Sequence, residues 1–250
     1  IFSIAPIQTT LEIREYMGLF LSGYKSATVM GQHGIGINPD SYDWTRLANY
    51  LHEVGDNIVT GDYANFGPCV SSQIVYSCID DIIYWHKING ATEDHCRHLE
   101  LLLKYSILLP LHLCDNCVYQ SLNGIASGSP ITAELNSEVG KKYIKLAFLG
   151  ICRQLNYKYS LNDFNKHCRV VVYGDDLILS VSDAFVSWFN LQSISEYLDN
   201  YGIRLTDVTK DGTIVKYRPL ADSSFLKRSF KPHPSRSGIY LAPIEHKNYQ

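Results

Sequence analysis

The sequence lacks the long apolar runs, repeats and charge excess that mark several large classes of protein. No apolar run approaches the roughly 20 residues that a membrane-spanning helix needs, and the nearest, Ser106–Cys114, is short and interrupted by Pro110. No basic segment followed by an apolar one is found at the start, so no secretory signal is visible. No internal repeat or low-complexity linker occurs, and 46% of the 250 residues are hydrophobic, which excludes disordered and collagen-like chains.

The sequence also lacks a strong net charge and a cysteine pattern that would indicate disulfides or a zinc site. The 22 basic and 25 acidic residues leave a net charge of −3, which argues against binding to nucleic acid by bulk charge. The 7 cysteines are an odd number spread through a chain of ordinary size, which indicates reduced thiols in the cytosol rather than a disulfide framework. Cys114 and Cys117 form a Cys-x-x-Cys near His112, but no second ligand pair has finger-like spacing, which disfavours a structural zinc site.

Hydrophobic periodicity predicts a chain of mixed helices and strands. The predicted helices are Thr9–Tyr24, a segment from a Ser41 cap to near Gly55, a segment from Pro68 to Asn89, most of 91–113, Ile131–Leu149 and Phe185–Leu198. The predicted strands are Ile58–Tyr63, a hairpin over Arg169–Val181, and short strands near 203–205, 224–230 and 239–241. This order favours an α+β fold, an antiparallel sheet with helices packed on one face.

Two adjacent carboxylates stand at the predicted hairpin turn, in the sequence Tyr173-Gly174-Asp175-Asp176. Because such carboxylates repel each other, a hard divalent cation such as Mg²⁺ is their natural partner. Asp62 also ends an apolar strand, from which its side chain can project toward the hairpin tip. Three convergent carboxylates can hold two metal ions, one to activate a hydroxyl and one to support a leaving phosphate. The alternatives are a solvated Gly-Asp turn and, for Asp62, a helix cap or turn residue.

A loop of small residues, Ser127–Pro130, precedes the helix predicted over 131–149. Small side chains there let backbone amides approach a ligand. Thr132 and Asn136 follow on one helical face, where a hydroxyl and an amide suit hydrogen bonds to a sugar. An ordinary loop with a serine or threonine cap explains Ser127–Pro130 equally well.

Together these segments resemble the palm motifs of RNA-dependent RNA polymerases from picornavirus-like viruses, in particular the dicistrovirus and iflavirus kind. They are, in chain order, Asp62-Tyr63, Ser127-Gly128-x-Pro-x-Thr132-x-x-x-Asn136 and Tyr173-Gly174-Asp175-Asp176. Reverse transcriptases share the Asp-Asp hairpin but lack the second pattern. The segment from Tyr201 to Lys210 is similar to the family's fourth palm motif, and Phe225-Leu226-Lys227-Arg228 is similar to its fifth.

The resemblance implies a right-hand polymerase palm, with an RRM-like core, and a role for each matching residue. These roles are metal binding by Asp62, Asp175 and Asp176, nucleotide binding by Ser127, Gly128, Thr132 and Asn136, protonation of pyrophosphate by Lys210, and primer binding by Lys227 and Arg228. Gly67 departs from the picornavirus pattern, which has at this position an aspartate that helps read the ribose 2′-hydroxyl. Ribose reading must then rest on Asn136, Thr132, Ser127 or a neighbour such as Asn65.

The same resemblance implies that the chain is part of a longer enzyme. The expected parts are a fingers-derived segment at 1–56, the first palm motif at 57–90, a fingers insertion at 91–122, the other palm motifs at 123–230 and the start of the thumb at 231–250. The expected partners are Mg²⁺ or Mn²⁺, an RNA template and primer, nucleoside triphosphates, a protein primer and other viral replication proteins. The expected location is membrane-associated replication complexes in the host cytoplasm. With most of the fingers and thumb outside these residues, we expect the chain alone to be inactive or nearly so.

Two other functions could use the same residues. A metal-dependent nuclease or phosphohydrolase would use the carboxylates with water as the nucleophile, but it has no reason for the ribose-reading face of Thr132 and Asn136. A non-catalytic RNA-binding or assembly module would gain from losing three clustered negative charges, which the chain retains. Lys210 also fits a plain turn lysine, and Lys227 and Arg228 fit edge-strand charges that discourage aggregation.

Overall fold

The computed structural model describes residues 4–208 and 214–244 and divides the chain into two compact units. Both units are discontinuous in sequence. The first comprises Ile1–Ser26 and Asn65–Val139, and the second comprises Ala27–Ala64 and Gly140–Gln250. These limits differ from the boundaries expected for fingers and palm, whose assignment stays a prediction.

Helices make up most of the regular structure. The helices are α1 (Ile7–Ser26), α2 (Tyr42–His52), α3 (Phe66–Cys69), α4 (Ser72–Ile88), α5 (Glu93–Leu103), α6 (Thr132–Gln154), α7 (Leu161–His167), α8 (Asp183–Val186) and α9 (Leu191–Asp199). The strands are β1 (Asn57–Tyr63), β2 (Leu111–Cys114), β3 (Cys117–Gln120), β4 (Cys168–Tyr173), β5 (Asp176–Val181), β6 (Leu205–Asp207), β7 (Ser224–Phe225), β8 (Arg228–Ser229), β9 (Lys231–Pro232) and β10 (Tyr240–Leu241). In the part of the chain that the structure describes, no helix is long and apolar enough to cross a membrane.

The first unit packs α1, α4 and α5 around an apolar core. α1 contributes the buried side chains of Ile13 and Met17, and α5 contributes Leu99. After α5 the helix continues as a π-helical turn over Lys104–Leu108 and then ends, because Pro110 cannot continue a helix. The prediction of helix through residue 113 is therefore wrong beyond this point, where β2 and β3 form a two-stranded hairpin.

The second unit contains a four-stranded sheet in the order β4-β5-β1-β6, with all neighbours antiparallel. β4 and β5 form the predicted hairpin, whose two-residue turn is Gly174-Asp175. β1 pairs with β5 in a register that places Asp62 directly opposite Asp176. The strands are rich in Val, Ile and Leu, which pack well on a buried pleated surface.

The two faces of this sheet pack against different helices. On one face, Val171 and Ile178 join α2 in an apolar cluster in which Trp44 is fully buried. On the other face, a Cβ placed on Gly140 of α6 would lie only 3.4 Å from Val172. The predicted α+β fold with an antiparallel sheet is confirmed, and the structure adds α2 on the second face.

Side-chain caps set several helix limits in this unit. The Ser41 side chain accepts a hydrogen bond from the backbone N–H of Asp43 at 3.1 Å, so that α2 begins where the sequence predicts. Asn190 accepts bonds from the N–H groups of Gln192 and Ser193 and starts α9. This cap divides the helix predicted over residues 185–198 into the short α8 and the separate α9.

Candidate active site

A row of side chains crosses one end of the four-stranded sheet. Asp62 on β1 lies opposite Asp176 on β5, Tyr173 on β4 also pairs with Asp176, and Thr206 on β6 pairs with Asp62. Directly opposed residues in an antiparallel sheet project to the same face. The register of four strands therefore brings two of the predicted carboxylates together.

The third carboxylate, Asp175, occupies the turn between β4 and β5. Gly174, the first turn residue, has φ +62°, a left-handed conformation that glycine adopts at little cost. A glycine in this place is typical of the type II′ turn, whose twist matches the flanking strands. Asp175 is exposed, whereas Asp62 and Asp176 are half-buried. The three carboxylates are thus placed by sheet register and by one tight turn.

These carboxylates line a cleft of about 620 Å³ in the second unit, together with Phe225, Leu226 and Lys227 of the β7–β8 hairpin. Over residues 4–208 and 214–244, no three His, Cys, Asp or Glu side chains are grouped closely enough to hold a metal ion as they stand. Three oxygen-donating side chains at one sheet end nevertheless provide the ligand type that Mg²⁺ prefers. Val208 also lines the cleft, and Lys210, the predicted proton donor, lies outside the described residues.

The β7–β8 hairpin contains the two predicted primer-binding residues in different environments. Its turn residues, Leu226 and Lys227, have φ +53° and +58°, so both central residues are left-handed as in a type I′ turn. Lys227 lines the cleft. Arg228 instead donates from Nη1 to a carboxylate oxygen of Asp40 at 3.2 Å and to the carbonyl of Ala242 at 2.8 Å. Arg228 therefore ties the hairpin to the rest of the second unit.

The glycine-rich loop that follows residue 30 supports the Asp-Asp hairpin from its outer edge. The Gly34 N–H donates to the carbonyl of Val172 at 2.8 Å, and His33 pairs with the same strand residue. Lys141 on α6 donates from Nζ to the carbonyl of Gly31 at 3.0 Å. Burial and the neighbouring Lys141 ammonium lower the pKa of His33 to about 3. No signal in the sequence pairs Lys141 with this loop.

A buried ion pair joins Asp207, the last residue of β6, to Arg218. Asp207 is almost completely buried and accepts a hydrogen bond from the guanidinium of Arg218. Arg218 in turn exchanges two backbone hydrogen bonds with Ile58 of β1, each 2.8 Å long. No sequence pattern singled out this pair, because nothing in the spacing of Asp207 and Arg218 along the chain shows that they meet.

The predicted nucleotide-binding loop lies in the first unit. Ser127 and Gly128 are exposed, whereas the Thr132 hydroxyl donates to the carbonyls of Ala126 at 2.8 Å and Ser129 at 2.9 Å. Thr132 therefore holds the shape of the loop. The Oδ1 atom of Asn136 is buried and has no hydrogen-bond partner among the residues that the structure describes.

Gly67 lies next to the start of this loop. Its carbonyl accepts a hydrogen bond from the N–H of Ile125 at 3.0 Å, and the neighbouring Gly124 N–H donates to Val70 at 2.8 Å. A Cβ on Gly67 would contact only the carbonyl oxygen of Ile125, at an ordinary 3.8 Å. Packing therefore does not require a glycine at position 67. The difference from the picornavirus pattern is the loss of a carboxylate, not a change in the fold.

Comparisons with known proteins agree with this arrangement. A family model described as viral RNA-dependent RNA polymerase matches residues 1–247. The genome polyprotein of Deformed wing virus is 39% identical over 247 residues, which are 98% of this chain and 8% of that protein. The replicase polyprotein of Acute bee paralysis virus is 28% identical over 252 residues, which cover 98% of this chain and 13% of that protein.

A solved structure shares the fold. The Sicinivirus 3Dpol RNA-dependent RNA polymerase superposes with a TM-score of 0.80 at 21% identity, over 99% of this chain and 49% of that one. The chain thus spans about half of this structural relative and a small part of the polyproteins that it matches.

Proposed function

The chain belongs to the family of viral RNA-dependent RNA polymerases, and from this we propose that it is the catalytic core for template-directed nucleotidyl transfer in viral RNA replication. One observation supports this proposal above the others. The register of the sheet sets Asp62 against Asp176, beside Asp175, in a cleft that Lys227 also lines. A cleft with clustered carboxylates and the flanking ammonium of Lys227 suits a reaction between metal-bound phosphates and an RNA strand.

The carboxylates Asp62, Asp175 and Asp176 are the residues that would hold two Mg²⁺ or Mn²⁺ ions. When bound, such ions lower the pKa of a hydroxyl nucleophile and neutralise the charge of a triphosphate. The half-buried positions of Asp62 and Asp176 limit solvent screening of their charges, while the exposed Asp175 can adjust to a ligand.

Other side chains would bind and orient the substrates. The primer 3′-oxygen forms a bond to the α-phosphorus as the bond to pyrophosphate breaks, and Lys210 would donate the proton that the leaving pyrophosphate takes up. The Lys227 ammonium on the cleft wall suits an RNA phosphate. Asn136 would help to read the ribose, as its place in the second palm motif implies. Thr132 would act through the loop that presents Ser127 and Gly128.

On this proposal the partners are an RNA template and primer, nucleoside triphosphates, a protein primer and other viral replication proteins. The place of action would be membrane-associated replication complexes in the host cytoplasm. The isolated 250 residues would extend a primer poorly or not at all, since they span 49% of the structural relative.

The test is primer extension by the complete polymerase with Asp175→Asn. The substitution keeps the size of the side chain and removes its charge, so we expect extension to fall at least about 100-fold. Asp115→Asn is the matched control, because Asp115 is also an exposed aspartate in a two-residue hairpin turn, and it should leave extension unchanged. Undiminished RNA synthesis by Asp175→Asn would contradict the metal assignment, and metal-dependent RNA cleavage without extension would favour a nuclease.

A further inference from the structure

The β2–β3 hairpin of the first unit places two cysteines face to face. Cys114 ends β2, Cys117 begins β3, and the register pairs them directly across the turn of Asp115 and Asn116. Asp115 has φ +53°, the left-handed conformation of a tight turn. Both thiols are exposed and free. The hairpin therefore presents a pair of accessible thiols at its tip.

The pairing brings these thiols within disulfide range. Opposed residues of an antiparallel pair have Cα atoms about 4.5–5.5 Å apart and project to the same face. A disulfide needs Cα atoms about 4.4–6.8 Å apart, so that no large backbone movement is required. His112 and Tyr119, whose rings stack at 5.0 Å, are the next pair on this face.

The other cysteines are poorly placed for the same chemistry. Cys78, Cys96, Cys152 and Cys168 are buried, and burial raises the pKa of the Cys152 and Cys168 thiols, which keeps them protonated and unreactive. Cys69 on α3 is exposed but stands outside the hairpin. Accessible thiols in a facing pair are thus a feature of the hairpin tip.

We propose that Cys114 and Cys117 form a reversible redox pair that glutathione disulfide oxidises to a disulfide across the hairpin tip. One cysteine thiolate attacks glutathione disulfide, forms a mixed disulfide and releases one glutathione thiolate. The facing thiolate then attacks the cysteine sulfur of that mixed disulfide, forms the Cys114–Cys117 bond and releases the second glutathione. The two cysteines lose two electrons and two protons, and glutathione disulfide gains them as two thiols.

The consequence is a hairpin that oxidation stiffens. A two-stranded hairpin is marginally stable in water on its own, and almost every residue of β2 and β3 is exposed. A bond across the tip restricts the separated strands and favours the paired state. A reducing environment keeps the two thiols free, and an oxidising environment forms the disulfide across the tip.

The test is mass spectrometry of the complete polymerase after incubation with glutathione disulfide, blocking of free thiols and digestion with trypsin. Cleavage after Lys104 and Lys141 gives one peptide, Tyr105–Lys141, in which Cys114 and Cys117 are the only cysteines. We expect this peptide to be lighter by two hydrogen atoms, to carry no glutathione, and to return to its reduced mass with dithiothreitol. Backbone amides of the hairpin should exchange with deuterium more slowly in the oxidised protein.

Single variants separate the pair from ordinary thiol reactivity. Cys114→Ser and Cys117→Ser should each retain one glutathione as a stable adduct, because no facing thiol releases it. Cys69→Ser, which removes an exposed cysteine elsewhere, should oxidise at the hairpin as the unchanged protein does. Persistent glutathione on both hairpin cysteines, an unreacted peptide, or a bond from this peptide to another cysteine would overturn the proposal. The readout does not depend on polymerase activity, so its outcome is separate from that of the proposed function.

Discussion

Lowering the pH from 7.5 to 5 should destabilise the second unit through His33. This side chain is 1% exposed, in a loop that pairs with β4. Burial, together with the ammonium of Lys141, lowers the pKa of His33 from 6.5 to about 3. The unfolded chain has no such environment, so its histidine takes up a proton near pH 6.5. Because the folded pKa is depressed, the stability linked to His33 is fully present above pH 6.5 and is lost as the pH falls toward 3.

The size of the effect follows from the two pKa values. At pH 5 the unfolded histidine is protonated, whereas the folded one stays neutral. The free energy of unfolding therefore falls by about 1.4 kcal/mol for each pH unit below 6.5. The expected loss between pH 7.5 and pH 5 is therefore about 2 kcal/mol from this one residue. Lys141 holds its place by donating to the carbonyl of Gly31, which fixes its charge beside the loop.

Urea unfolding followed by tryptophan fluorescence measures this difference. A Trp85→Phe background leaves Trp44 and Trp188 as reporters, and both belong to the second unit. His33→Gln cannot take up the proton, so its free energy of unfolding should fall about 2 kcal/mol less than that of the background protein. His52→Gln, which removes an exposed histidine of the same unit, is the control. Equal pH dependence with and without His33 would refute the reasoning.

Three backbone positions give further predictions. Gly124 has φ +92°, and a Cβ there would lie 2.8 Å from the carbonyl oxygen of Gly67, so Gly124→Ala should lower the free energy of unfolding by about 3 kcal/mol. Gly90→Ala shares the positive φ but meets nothing within 4 Å, and should cost only about 1–2 kcal/mol; equal losses in urea unfolding would show that the contact is irrelevant. Lys227→Gly should relieve the left-handed strain at φ +58° and stabilise the second unit by about 1 kcal/mol, while it weakens binding of a primer-template RNA in a fluorescence anisotropy titration. Unchanged RNA affinity in that variant would remove Lys227 from the primer site.

The residues that the sequence predicted best are those fixed by local pattern. Apolar strands that end in Asp62 and in the Gly174-Asp175 turn specify the sheet end, because strand alternation and turn chemistry act over a few residues. The hairpin of β2 and β3 was missed for the opposite reason. Leu111 and Leu113 look like buried helix positions in sequence, yet both are exposed on strands.

The hydrogen-bond partners of some polar side chains could not be assigned from the sequence alone. The Thr132 hydroxyl donates to the carbonyls of Ala126 and Ser129, and its role in binding a nucleotide stays a prediction. Nor could the buried pair of Asp207 and Arg218 be recognised, since only the folded sheet brings the two charges together. The ion pair depends on a tertiary contact, which periodicity does not encode.

The two basic residues of the β7–β8 hairpin, Lys227 and Arg228, have different roles. A type I′ turn places both central residues in the left-handed region, at a cost of about 1–2 kcal/mol for each residue other than glycine. Leu226 and Lys227 accept this conformation, so the rest of the structure must hold the turn in place. Arg228 does so, because its guanidinium donates both to Asp40 and to the carbonyl of Ala242. Lys227 is then held at the wall of the carboxylate cleft, in a left-handed backbone conformation that a residue with a Cβ atom disfavours. The two adjacent cations thus have different roles. Arg228 fixes the turn, and Lys227 places its charge at the cleft.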